Sequence, residues 1–230
     1  GNLYTGIFET RQVTGMLVTG TAANPVIYVS SSDPRVGGGG IAGDVNLDTN
    51  SGIVTRLFWN GSAWEKVDIV RGLPRSEENH SVNGMQLDPV TNTLYLAVGG
   101  ITNAGAPSVN FAYLTEYALS AAIVSIDLDA INSLPVRGSG NNKYIYDLPT
   151  LNDPSRTDIP NPDFNPALPG SPATIDERDP FGGNDGLNQA KIVPGGPVQI
   201  YSPGYRNAYD ILITKTAGRE GRMYTIDNGA

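Results

Sequence analysis

An all-β fold built on a repeated four-stranded unit is what this sequence predicts, on three observations. An apolar stretch, a polar turn and a tyrosine strand recur three times: Gly15-Met-Leu-Val-Thr with Val26-Ile-Tyr28-Val-Ser, Gly84-Met-Gln-Leu-Asp with Thr93-Leu-Tyr95-Leu-Ala, and Asp210-Ile-Leu-Ile-Thr with Arg222-Met-Tyr224-Thr-Ile. The tyrosines lie 95 − 28 = 67 and 224 − 95 = 129 residues apart, so the second interval is close to twice the first. Gly52-Ile-Val-Thr-Arg-Leu and Ala122-Ile-Val-Ser-Ile-Asp repeat as well, aligned on Ile53 and Ile123 at 70 residues. With 28 glycines, 17 prolines and only 17% charged residues, the composition suits short strands joined by turns. A repeat of roughly 65 residues is too long for one hairpin and suits one blade of a β-propeller, with long loops.

Strands are expected where β-branched and aromatic residues run together between Gly, Asn and Asp turns, at 15–19, 26–30, 53–59, 63–70, 84–87, 93–98, 122–128, 143–146, 198–201, 210–214 and 222–226. One short helix is expected at 113–120, where Leu and Ala supply propensity. Across 135–197 proline and glycine crowd together without a period, which predicts a long inserted loop region and accounts for the stretched tyrosine interval. The chain, 1–230, is thus expected to be one incomplete propeller domain of three to four four-stranded blades, because such rings close with about four to eight. An open arc of this kind leaves apolar flanks, to be covered by the missing blades or by a self-associating copy.

The charge balance narrows the partners. Fifteen Lys and Arg against 23 Asp and Glu give a net charge of −8, which repels nucleic acid and anionic membrane and keeps an exported protein soluble. Cysteine is absent, so neither disulfides nor thiolate metal sites are available. No apolar run reaches the roughly 18 residues that span a bilayer. A periplasmic or extracellular location is the expectation.

Several motifs read as structure. Asp44-Val-Asn46-Leu-Asp48-Thr-Asn50 has the alternating oxygen spacing of a calcium loop, but Thr49 and Thr55 stand where such a loop needs Gly and Glu, so a strand and turn is expected. The run Gly37 to Gly40 lacks a Lys-Ser/Thr or a following helix and reads as a loop tip. Trp59 and Trp64 flank the turn Asn60-Gly-Ser-Ala and are expected to cap a sheet edge. The stretch 176–186, dense in carboxylate and amide oxygens, is a candidate calcium staple.

The one histidine, His80, precedes a repeated strand and is the first place to look for chemistry. The segment Leu73-Pro-Arg-Ser-Glu-Glu-Asn-His80-Ser-Val-Asn-Gly, with Leu94-Tyr-Leu-Ala-Val-Gly-Gly after it, resembles the second-blade region of the soluble quinoprotein glucose (glucose/sorbosone) dehydrogenases. Tyr205-Arg206-Asn207 and Asp227-Asn228-Gly229-Ala230 resemble that family's Arg-Asn strand start and the turn after it, and Arg11-Gln12-Val-Thr-Gly15 is more loosely similar to the start of the first blade. The matches cover most of the chain outside 135–197.

The resemblance implies a six-bladed propeller that oxidises the anomeric hydroxyl of an aldose with pyrroloquinoline quinone and calcium. His80 would then be the general base, and Arg206 would lie against the quinone as a permanent planar cation. Asn207, Asn228 and Gln12 would contact the cofactor, and the carbonyls of Gly229 and Ala230 would face calcium. The sequence departs from the family where Asn79 replaces an acidic residue and where Ala208-Tyr209-Asp210 replaces Pro-Gln-Gly. Those departures, with no later blades in this chain, open the alternative of a non-catalytic propeller module that binds carbohydrate or protein.

Overall fold

The computed structural model describes residues 11–34, 49–76, 78–106, 115–152 and 188–229. Thirteen strands account for most of the regular structure: β1 (Gln12–Gly20), β2 (Pro25–Ser32), β3 (Gly52–Trp59), β4 (Trp64–Leu73), β5 (Val82–Asp88), β6 (Thr93–Val98), β7 (Ala122–Asp127), β8 (Tyr144–Asp147), β9 (Thr150–Asn152), β10 (Asn188–Ala190), β11 (Val198–Pro203), β12 (Ala208–Ile213) and β13 (Met223–Asp227), with one short helix α1 (Leu128–Asn132). The fold is all-β. β1-β2-β3-β4 form an antiparallel meander, β5-β6-β7-β11 form a second, and β12-β13 pair as a hairpin of their own.

Cross-strand register places the three tyrosines at equivalent positions in these three separate sheets. Tyr28 faces Leu17, Tyr95 faces Gln86 and Tyr224 faces Leu212, and each partner lies two residues after Gly15, Gly84 and Asp210 respectively. All three hairpins also break register just before or across that residue, between Val13 and Gly15, Val82 and Met85, and Ala208 and Asp210. A bulge kept at one place in each repeat bends each first strand alike. The third strands need a correction: Tyr28 faces Arg56 and Tyr95 faces Ser125, so the spatial interval is 125 − 56 = 69 residues and Val54, not Ile53, is the counterpart of Ile123. Adjacent β-branched residues on both strands allow either alignment by composition, and only pairing separates them.

The sheets stack through their first strands, with β5 packed against both β1 and β12. Glycine makes this approach feasible. A Cβ on Gly15 would stand 2.3 Å from the Asn83 carbonyl oxygen, and one on Gly84 would stand 2.9 Å from Asp210 Cα, so any larger side chain would drive the sheets apart. Side chains then tie each first strand to the next. Thr14 Oγ1 donates to the Val82 carbonyl. At the next step Asn83 Nδ2 donates to the Ala208 carbonyl at 2.8 Å and to Asn207 Oδ1 at 2.9 Å, while its own carbonyl accepts from Ser30 Oγ at 2.6 Å. Thr14 and Asn83 are repeat equivalents, as are Val82 and Ala208, so one linkage is used twice.

Apolar burial follows the same stacking. Val54, Val70, Leu73, Val82, Met85, Leu96, Val124 and Ile126 form the core between the first two sheets. Ala97, Ile123, Ala208 and Ile211 form a smaller one between the second sheet and the β12-β13 hairpin. β6 and β7 therefore carry apolar residues on both faces, as strands covered on both sides must. The end faces are apolar too: β1 exposes Val13, Met16 and Val18, and the hairpin exposes Tyr209, Leu212, Tyr224 and Ile226.

The inserted region separates β7 from β11, the third and fourth strands of the second sheet, and its described parts are not a bare loop. β8 adds in parallel to the outer edge of β4, fixed by Arg71 Nη2 on Asp147 Oδ2 at 2.7 Å and by the Arg71 guanidinium 3.6 Å from the Tyr144 ring centroid. The edge that would otherwise template aggregation is thereby covered. The helix expected at 113–120 is absent across its described part, 115–120, which is irregular chain and turn. Leu119 and Ala121 take positive φ (71° and 52°), which no helix accommodates. The helix that forms instead is α1, capped by Asp127, whose carboxylate accepts from Ala130 N at 2.9 Å.

Trp59 and Trp64 are cross-strand partners packed edge to face with centroids 6.0 Å apart, but they close the β3-β4 turn on interior strands and do not cap an outer edge of the sheet. Thr49 and Asn50 form a buried turn, as expected of the end of the 44–50 motif. The rest of that motif, Gly37 to Gly40 and 176–186 lie outside the described residues. Among the described residues no helix is long and apolar enough to cross a membrane. Replacing Asn83 with Leu strands two buried acceptors between sheets, and is expected to cost about 2–4 kcal/mol, measured by urea unfolding against the unaltered protein.

Candidate functional site

His80 stands just before β5, at the end of a loop that closes on itself. His80 N–H donates to Ser76 Oγ at 2.8 Å, and its carbonyl accepts from Ser76 N–H at 2.9 Å. The neighbouring Arg75 is fully buried and its Nη1 donates to the Ser76 carbonyl at 2.6 Å, bracing the loop from inside. His80 is 2% exposed, and its Nδ1 lies 3.0 Å from the Gly100 carbonyl oxygen. A carbonyl only accepts, so Nδ1 carries the proton of the neutral ring and the basic lone pair is on Nε2. Burial pushes the histidine below its ordinary pKa, and the positive charges of Arg206 and Arg75 add to that; the Gly100 hydrogen bond and the Glu116 carboxylate oppose it.

Arg206 and Asn207 stand just before β12, the place in the third repeat that His80 and Ser81 hold in the second. One residue joins the leading ends of the two strands: Gly100 accepts from His80 through its carbonyl and donates its N–H to the Arg206 carbonyl at 2.8 Å. Gly99 and Gly100 must lack side chains here, since a Cβ on Gly99 would meet Asn207 Oδ1 at 2.4 Å and His80 Cβ at 2.7 Å. The Gly-Gly turn is thus the spacer that lets two residues 126 positions apart in sequence share one end of the stacked strands.

The Arg206 guanidinium is held on two sides, with Nε on Asn103 Oδ1 at 2.7 Å and Nη1 on the Asn228 carbonyl at 3.1 Å. The backbone N–H groups of Arg206 and Asn207 donate to the two carboxylate oxygens of Asp227, at 3.0 and 2.7 Å. A cavity of about 580 Å³ opens beside this cluster, lined among others by Glu116, Tyr205, Arg206, Asp227 and Gly229. Glu116 is positioned by Ile101 N–H at 2.7 Å and Thr102 Oγ1 at 2.6 Å, which explains why its segment cannot be helical.

His80, Arg206, Asn207 and Asn228 are therefore brought together at one end of the strands, and of these four Arg206 alone lines the cavity. Asn207 is buried, and its Oδ1 is already the acceptor for Asn83 Nδ2. Asn228 and Gly229 are exposed, Gly229 at the cavity, and Ala230 lies outside the described residues. Gln12 opens β1 at the repeat position of Asn207, and its Oε1 is buried without a hydrogen-bond partner. Among the described residues no three His, Asp or Glu side chains are grouped to hold a metal ion.

Three members of the cluster escaped the sequence reading. Asp227 lay inside a recognised motif, but its role depends on the β12-β13 pairing. Asn103 follows the Gly-Gly turn with no pattern of its own. Glu116 sat in a segment whose composition favours helix. No family model, no curated protein and no solved structure matches this chain.

The depressed histidine pKa has a testable sign. The unfolded chain binds the proton more readily, so His80's contribution to stability is complete above its ordinary value near 6.5 and is lost as pH falls below it toward the folded value. Chemical unfolding measured across that window should show a loss of stability on acidification that is smaller in His80→Gln.

Proposed function

We propose that this chain forms part of a β-propeller of the quinoprotein sugar dehydrogenase type, in which the first strands of successive sheets line an axis and their leading ends carry an aldose-oxidising site. The observation that carries the reading is the meeting of His80 with Arg206 across Gly100. Three sheets repeating one register and stacked through their first strands are what supports the radial arrangement.

The residues fit a pyrroloquinoline quinone at this end of the molecule. Arg206 supplies a planar cation beside a cavity of about 580 Å³, and Gln12 Oε1 is a buried acceptor still lacking a donor. The carbonyl of Gly229, with that of Ala230, would serve a calcium ion, which prefers oxygen ligands. A bound quinone would supply the acceptor for hydride from the sugar. His80, kept neutral by burial, takes the hydroxyl proton at Nε2, the work of a general base. The fixed charge of Arg206 stabilises negative charge that develops against it, and its Asn103 and Asn228 contacts keep it from reorganising as charge appears.

The burial of His80 and the commitment of Asn207 to Asn83 favour a second reading, a non-catalytic module that binds carbohydrate or protein through the same loop face. Dye reduction separates the two. In the native protein that carries this chain, supplied with pyrroloquinoline quinone and calcium, aldose-dependent dye reduction should fall by about 10²–10⁴-fold in His80→Ala while the fold is retained. Glycan binding with no dye reduction in the unaltered protein would establish the second reading instead.

A further inference from the structure

We infer that Asp227 is the positioning residue of the site, the group that sets the Arg206-Asn207 dipeptide in its working geometry. Its two carboxylate oxygens take two successive backbone N–H groups, Arg206 at 3.0 Å and Asn207 at 2.7 Å. Consecutive amides converging on one carboxylate fix the backbone between them, and with charge on the acceptor such bonds are roughly twice as strong as neutral ones. The root of the Arg206 side chain is therefore set by Asp227, and its far end by Asn103 and Asn228.

The same turn delivers both restraints, because Asn228, the residue after Asp227, provides the carbonyl for Nη1. Asn228 N–H also lies 3.4 Å from the Asn207 carbonyl, so the turn and the start of β12 are joined from both directions. Asp227 lines the same cavity as Arg206. An amide cannot replace it. Asparagine offers one acceptor oxygen, and its NH2 group would oppose the second backbone N–H.

This inference rests on the reading of Arg206 as a quinone contact, and the experiment separates the two. The native protein, Asp227→Asn, Asp227→Glu, Arg206→Ala and the Asp227→Asn/Arg206→Ala double variant are titrated with pyrroloquinoline quinone in calcium buffer. Amide hydrogen exchange is followed for the 204–208 segment without the quinone. Asp227→Asn should weaken quinone binding at least tenfold and expose the Arg206 and Asn207 amides to exchange, and Asp227→Glu, which keeps both acceptors, should recover part of each. In the Arg206→Ala background Asp227→Asn should add little, since it acts through the arginine.

Unaltered affinity in Asp227→Asn, or an equal further loss in the double variant, overturns the positioning role and leaves the reading of the site intact. If the native protein binds no quinone, the reading of the site fails, and exchange at 204–208 then decides the clamp alone: unchanged protection in Asp227→Asn overturns it. Should Asp227→Asn not fold, Asp227→Ala, which removes both acceptors, carries the same comparison against the native protein, and affinity and protection both equal to native then overturn the role.

Discussion

Asn83 is the residue on which the rest of this architecture depends. It is buried near the start of β5, and its amide nitrogen reaches Ala208 and Asn207 on the next first strand. Its carbonyl receives Ser30 from the sheet before. Three sheets thus meet at one side chain and its backbone. A buried amide is costly unless satisfied, so the same bonds that align the sheets also penalise every other alignment. Gly15 and Gly84 set how closely the sheets approach, and Asn83 sets where along the strands they are fixed.

From that constraint the site follows. A shared register puts residues four positions before Gly84 and Asp210 at one end of neighbouring strands, and those residues are His80 and Arg206. The Gly99-Gly100 turn closes the distance, and its second residue hydrogen-bonds both of them. Arg11 holds the same place in the first repeat, but its guanidinium turns toward Ser31 within its own sheet, with 3.0 Å from Nε to Ser31 Oγ. Equivalent backbone positions therefore carry different duties: a brace in the first repeat, a neutral imidazole in the second and an anchored cation in the third.

Much of the fold was legible because its signals are local. The tyrosine hairpins announce themselves by alternating apolar residues and polar turns, and register bears out Tyr28, Tyr95 and Tyr224 as equivalents. What sequence could not resolve depends on pairing or on competition. A one-residue slip between Ile53 and Val54 is invisible when both are apolar and buried. Across 115–120, the described part of the expected helix, propensity loses to the Glu116 carboxylate, which is held by the Ile101 and Thr102 backbone. In the site, His80 and the Arg206-Asn207 pair were visible as residue types in a pattern, whereas Asn83, Asn103 and Asp227 gain meaning only when β5, β6 and β12 are side by side.

The most direct test of the central claim is a disulfide trap between Asn83→Cys and Asn207→Cys, in a chain that has no cysteine of its own. The two native side chains are in hydrogen-bond contact at 2.9 Å across the second and third sheets. Under mild oxidation, intact mass and peptide mapping should show one intramolecular bond between positions 83 and 207. Two free thiols in a folded protein would contradict the stacking of β5 on β12, and with it the shared end at which His80 and Arg206 meet.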